Sequence, residues 1–134
     1  MTLVDSSVLI DVIESQAPWA DWSEAQLLSA RARGGLSINL MVYAEIARDF
    51  NSQAVLDEFL SDTGIAVLPL DERMAYLAAR AHDAYRAGGG QRGATLPDFF
   101  IGAHASVSGQ PLLTRDPKRV RRYFPDVSLI CPDE

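Results

Sequence analysis

The chain has 134 residues, 48% hydrophobic and 22% charged, with a formal net charge of −6. This length suits one domain with a proper core, and the composition is globular rather than disordered or fibrous. No apolar run approaches the roughly 20 residues of a membrane-spanning helix, residues 1–5 lack the features of a signal peptide, and a single cysteine, Cys131, excludes an internal disulfide or a cysteine metal site, so a cytoplasmic location is expected.

The acidic balance argues against non-specific nucleic-acid binding, but its distribution is uneven. Arg115, Lys118, Arg119, Arg121 and Arg122 put five of the twelve basic residues into one short segment. Arginine grips phosphate through two parallel hydrogen bonds, which lysine cannot do. A solvated helix face is the plainer reading of such a run.

In chain order, Leu3-Val4 reads as a short strand, followed by a helix through Val8 to Ile13. Pro18 is expected to start a second helix, carrying Trp19, Trp22, Leu27 and Leu28 and ended by Gly34-Gly35. Leu36-Ser37-Ile38 is a strand, and Asn39 looks like the N-cap of a helix reaching about Phe50. A helix over 52–61 is closed by Gly64, and Ile65-Ala66-Val67-Leu68 is a strand. Asp71 caps a long helix through Tyr85, and 88–93 is a glycine-rich loop. A helix over 96–107, a strand at Leu112-Leu113-Thr114, a short basic helix and a strand at Val127-Ser128-Leu129-Ile130 complete the chain.

Strands alternating with helices predict a single α/β domain over 1–134, a sandwich around a mostly parallel sheet of four to five short strands. In such sheets ligands bind beyond the carboxyl ends of the strands. Asp5 and Asp116 fall at strand ends, and the helices bearing Glu45 and Asp98 are expected to reach the same edge.

Each acid has a plainer explanation. Asp5 and Asp116 stand where N-caps stand, the latter before Pro117, and Asp98 lies at capping-box spacing from Thr95. Glu45 has apolar flanks over nearly two turns, so it is expected to be at least partly buried and to need a partner. Together, four like charges at one edge demand a cation, and carboxylates with the hydroxyls of Ser6, Ser7 and Thr114 suit a hard ion such as Mg²⁺. His82 and His104 are expected to be structural or surface residues, and Trp19, Trp22, Phe50 and Phe59 to belong to the core.

Val4-Asp5-Ser6-Ser7-Val8-Leu9-Ile10-Asp11, Tyr43-Ala44-Glu45-Ile46, the stretch from Leu96-Pro97-Asp98 to His104-Ala105, and Leu113-Thr114-Arg115-Asp116 with Arg122-Tyr123-Phe124-Pro125 resemble, in order, the acidic motifs of PIN-domain nucleases. The resemblance is strongest to VapC-type toxins of toxin–antitoxin pairs. It implies a PIN-like three-layer α/β/α sandwich and an endoribonuclease using Mg²⁺ or Mn²⁺, which leaves a 5′-phosphate and a 3′-hydroxyl. Asp5, Asp98 and Asp116 would be metal ligands, with Glu45 holding the metal directly or through water. Ser6 and Thr114 would support the site, and Asp11 is left outside it. Arg92, Arg115, Lys118 and Arg119 would grip RNA. The implied partners are tRNA or rRNA, a VapB-like antitoxin in a groove by the early helices with Trp19, Trp22 and Leu28, and a second copy in a homodimer. The competing readings are a metal-dependent phosphatase or phospho-acceptor domain, which would also place an aspartate after its first strand, and a PIN-fold binding module without turnover.

Overall fold

A computed structural model describes residues 1–89 and 94–132. Five strands, β1 (Thr2–Val4), β2 (Leu36–Asn39), β3 (Ile65–Leu68), β4 (Leu112–Leu113) and β5 (Leu129–Ile130), form one sheet in the order β3-β2-β1-β4-β5. Every pairing in it is parallel. The helices are α1 (Ser6–Ile13), α2 (Ala20–Gly34), α3 (Leu40–Ala47), α4 (Gln53–Thr63), α5 (Glu72–Ala87), α6 (Phe100–Ser108) and α7 (Lys118–Tyr123).

Successive strand side chains point to opposite faces, and the core divides accordingly. Val4, Leu36, Ile38, Ile65 and Leu113 pack with Val8, Leu9, Ala30, Val42, Ile46, Leu56 and Leu60 from α1 to α4. Leu3 and Leu112 pack on the other face with Ala78, Ala81, Phe99, Ala103, Val120 and Phe124. The result is the expected three-layer α/β/α sandwich. Gly102 lets α6 lie close to Phe124, since a Cβ there would come within 2.3 Å of the ring.

Local chemistry explains most element boundaries. Asn39, Ser52 and Asp71 each accept a hydrogen bond from the third residue onward, capping α3, α4 and α5. Gly64, at φ 72°, ends α4 in the left-handed conformation that glycine tolerates best.

β4 stops at Leu113, β5 starts only at Leu129 and α4 runs on to Thr63, and three further differences from expectation have local causes. The second helix starts at Ala20 rather than Pro18, because Ala17 has no capping oxygen to offer a helix beginning at the proline. The third ends at Ala47, since Asp49 and Phe50 turn back onto the carbonyls of Ile46 and Ala47. The stretch after Thr95 opens as a tight 3₁₀ turn, Leu96–Phe99, before α6 begins. Residues 90–93 of the expected glycine-rich loop, Arg92 among them, lie outside the described residues.

Candidate active site

The sheet order reverses at β1, whose neighbours are β2 and β4. A crevice opens at the carboxyl ends of strands where connections diverge in this way. The register pairs Val4 with Leu113, so Asp5 and Thr114 leave the sheet side by side. The Thr114 hydroxyl donates to Asp5 Oδ2 at 2.8 Å, and Ser7 Oγ donates to the same oxygen at 2.9 Å. Asp5 occupies the N-cap position of α1 yet makes no side-chain capping bond. Its carboxylate is directed across to β4 instead, which removes capping as its explanation.

Asp116 likewise does not cap α7. Its backbone N–H donates to Thr114 Oγ1 at 3.1 Å, so one buried hydroxyl links two of the acids. Asp98 does serve its helix end, as Oδ2 accepts from the Thr95 N–H at 2.6 Å and the Thr95 hydroxyl at 3.2 Å. Glu45 projects from α3 and is exposed as a whole residue, while its carboxyl end is partly buried beside Ser6. Its apolar flanks serve the core through Val42 and Ile46, while Glu45 falls on the face between them and the solvent.

The four acids share one cavity of about 160 Å³, lined also by Ser6, Ser7, Pro97, Ile101, Thr114 and Arg119. Their fields overlap. Burial raises the pKa of Asp5 and the charge of Asp116 raises it further, against hydrogen bonds from Thr114 and Ser7. Burial of the carboxyl also raises that of Glu45, with Asp5 and Asp98 adding to the effect and Ser6 opposing it by a hydrogen bond. The two serines therefore divide the acids, Ser6 toward Glu45 and Ser7 toward Asp5.

A PIN domain family model matches residues 2–124. The chain belongs to the PIN domain family. No curated protein matches. Among solved structures, the chain is similar to VapBC2 from Rickettsia felis bound to a DNA fragment from its promoter, at 19% identity and TM-score 0.71 with 98% of each chain covered. It is also similar to a toxin–antitoxin complex from Klebsiella pneumoniae, at 21% identity and TM-score 0.67, covering 100% of this chain and 99% of the other. VapBC-1 from nontypeable Haemophilus influenzae gives 17% identity and TM-score 0.70, with 97% and 96% covered. At these identities the likeness is one of fold.

Within this PIN domain the basic residues separate. Arg119 lines the acid cavity with Asp116, its guanidinium carbon 5.6 Å from the Phe99 ring centroid. Lys118 is exposed and borders an adjoining recess of about 430 Å³ with Arg115, Pro117 and Arg119. Arg115 is held elsewhere: its Nε donates to Asp11 Oδ2 at 2.8 Å. Asp11, left out of the site by sequence reasoning, is 1% exposed and also accepts from Ser23 Oγ at 2.9 Å. Its signal was a charged residue inside the apolar run of α1. His104 is buried in α6 and His82 packs against Phe99, both away from the acid cavity.

The lining chemistry fits a hard divalent cation. Its donors are carboxylates and hydroxyls, with no cysteine or histidine among them. Burial does most to raise the pKa of Asp5 and Glu45, and the repulsion between neighbouring acids that adds to it is what a cation would relieve. Among the described residues no group of three or more acidic, histidine or cysteine side chains is drawn tightly enough together to hold a metal. Asp5 and Asp98 are turned toward hydroxyl and backbone donors.

Proposed function

We propose that this PIN domain is an Mg²⁺- or Mn²⁺-dependent endoribonuclease, the toxin of a toxin–antitoxin pair, which hydrolyses single-stranded segments of tRNA or rRNA to 5′-phosphate and 3′-hydroxyl ends. The observation that carries this reading is the convergence of Asp5, Glu45, Asp98 and Asp116, from four separate parts of the chain, on one cavity. Asp5, Asp98 and Asp116 would hold the metal, with Glu45 contributing directly or through water. The bound ion supplies Lewis acidity, neutralising phosphate charge and making water more acidic.

The protein's own groups set the geometry. Thr114 orients Asp5 through its hydroxyl and Asp116 through the backbone. Ser6 and Ser7 keep Glu45 and Asp5 toward their ionised forms. Arg119, which lines the same cavity, would grip a non-bridging phosphate oxygen, and Lys118, beside it, the adjacent backbone. The ring of Phe99 beneath Arg119 limits the orientations of its guanidinium.

A second site supports the toxin–antitoxin part. Leu9, Val12, Leu27, Leu28, Phe59 and Ile65 line an apolar groove of about 260 Å³, with Leu28 59% exposed. It suits the apolar face of an antitoxin segment. Trp22 packs on the core and Trp19 lies beneath Arg115, so the groove rests on Leu28 rather than on the tryptophans. VapBC assemblies among the solved structures of the same fold support such a partner. A homodimer is part of this proposal.

The test is cleavage of single-stranded RNA and tRNA with Mg²⁺ or Mn²⁺, against EDTA and against an Asp98→Asn variant. Cleavage should vanish in both controls. Cleavage that survives both would contradict the metal mechanism, and failure to cut any RNA would favour a binding module.

A further inference from the structure

We infer that Arg115 is a positioning residue, clamped by Asp11 and Trp19 so that the turn after β4 presents Asp116 to the acid cavity; the inference rests on the metal-site reading above. β4 is two residues long and α7 six, so little regular structure fixes the segment between them. Asp116 lies in that segment and is exposed. Its neighbour Arg115 is anchored at both ends. The backbone N–H donates to Ser7 Oγ at 3.3 Å, and Ser7 Oγ in turn donates to Asp5. The side chain donates through Nε to Asp11 at 2.8 Å, with the guanidinium carbon 5.5 Å from the Trp19 ring centroid.

The alternative role, gripping RNA, is the poorer fit. Arg115 is 30% exposed and its partner Asp11 only 1%. Swinging Arg115 out to a phosphate would leave Asp11 with the Ser23 hydroxyl and no counter-charge, and an uncompensated buried carboxylate is strongly unfavourable. Asp11 and Ser23 belong to α1 and α2, and Trp19 is the N-cap residue immediately before α2. The clamp thus ties the turn bearing Asp116 to the packed pair α1 and α2. Lys118 and Arg119, which make no such pair with a buried acid among the described residues, remain the substrate-facing cations.

The test compares Arg115→Met and Trp19→Leu with Leu60→Ala, a core truncation in α4 that lowers stability away from the turn. Two readouts are made on the full chain: hydrogen exchange at the Asp116 amide without metal, and calorimetric titration with Mn²⁺. Arg115→Met is expected to speed exchange at Asp116 and to raise the Mn²⁺ Kd about tenfold. Trp19→Leu, which keeps the ion pair but removes the ring beneath it, should move both in the same direction by less, and Leu60→Ala should change neither. Unchanged exchange at Asp116 in both clamp variants, or an equal change in Leu60→Ala, overturns the inference. If the parent chain binds no Mn²⁺ the metal reading fails, and the exchange comparison alone decides the clamp.

Discussion

Thr114 and Asp5, 109 positions apart, meet through a 2.8 Å hydrogen bond because their strands are parallel neighbours in register. The same hydroxyl accepts the Asp116 N–H. Replacing it should therefore disturb two acids at once. Thr114→Val is expected to weaken Mn²⁺ binding by about tenfold, in the range for groups that orient metal ligands, whereas Thr114→Ser should stay near the parent. Calorimetric titration of the three proteins checks this.

The raised pKa of Asp5 and Glu45 has a thermodynamic consequence. A carboxyl whose folded pKa lies above its unfolded value stabilises the fold below the unfolded pKa, and that contribution is lost as pH rises through the folded one. The metal-free protein is thus predicted to carry an electrostatic penalty at neutral pH. Asp5→Asn should raise its stability by about 1 kcal/mol at pH 7.5, as is common where a functional site is relaxed, and by less at pH 4. Mn²⁺ should raise the melting temperature of the parent more than that of the variant. Thermal melts at both pH values, with and without Mn²⁺, test both statements.

His104 shifts in the opposite sense. Burial lowers its pKa from the usual 6.5, partly opposed by Asp71, and its buried Nδ1 has no hydrogen-bond partner. Its neutral form favours the fold, so this stability is present above pH 6.5 and is lost as pH falls through the lowered folded value. His104→Leu should flatten the loss of melting temperature between pH 7 and pH 5 seen in the parent. An equally steep loss in the variant would place the acid sensitivity elsewhere.

Gly102 brings α6 close against the Phe124 ring at the end of α7. A methyl group at Gly102 would stand 2.3 Å from the Phe124 Cδ2 atom. Gly102→Ala should cost about 1–3 kcal/mol through overpacking, despite alanine's better helix propensity. Denaturant unfolding measures it, and Phe124→Leu in the same background should recover part of the loss.

Much of this was legible in the sequence because it was local. Asn39 and Asp71 stand where caps must stand, and the alternation of short apolar runs with helical periods gave the layers. The convergence of the acids on one cavity was expected from their settings, Asp5 and Asp116 at strand ends, Asp98 at a helix start and Glu45 within an apolar helix. What escaped was side-chain direction. The apolar flanks of Glu45 did not reveal that most of its side chain is exposed while only the carboxyl end turns into the cavity. Asp11 looked like a helix residue remote from the site, because its partner Arg115 lies 104 positions away. Asp98 shows that capping and site placement coexist, since its carboxylate bonds Thr95 while lining the cavity.

The groove beside α1, α2 and α4 gives a separate prediction. Leu28 is the most exposed of its large apolar residues. Leu28→Glu should weaken binding of the cognate antitoxin by tenfold or more while leaving RNA cleavage by the free chain unchanged. Binding at parental strength would move the docking surface elsewhere.

The central claim is that four carboxylates act as one metal-dependent hydrolytic site, and the ends of the cleaved RNA test it most directly. Cleavage with Mn²⁺ should yield 5′-phosphate and 3′-hydroxyl termini, and EDTA or Asp116→Asn should abolish it. Termini bearing a 2′,3′-cyclic phosphate, formed at an undiminished rate in EDTA, would contradict the account, because attack would then come from the ribose 2′-hydroxyl without a metal.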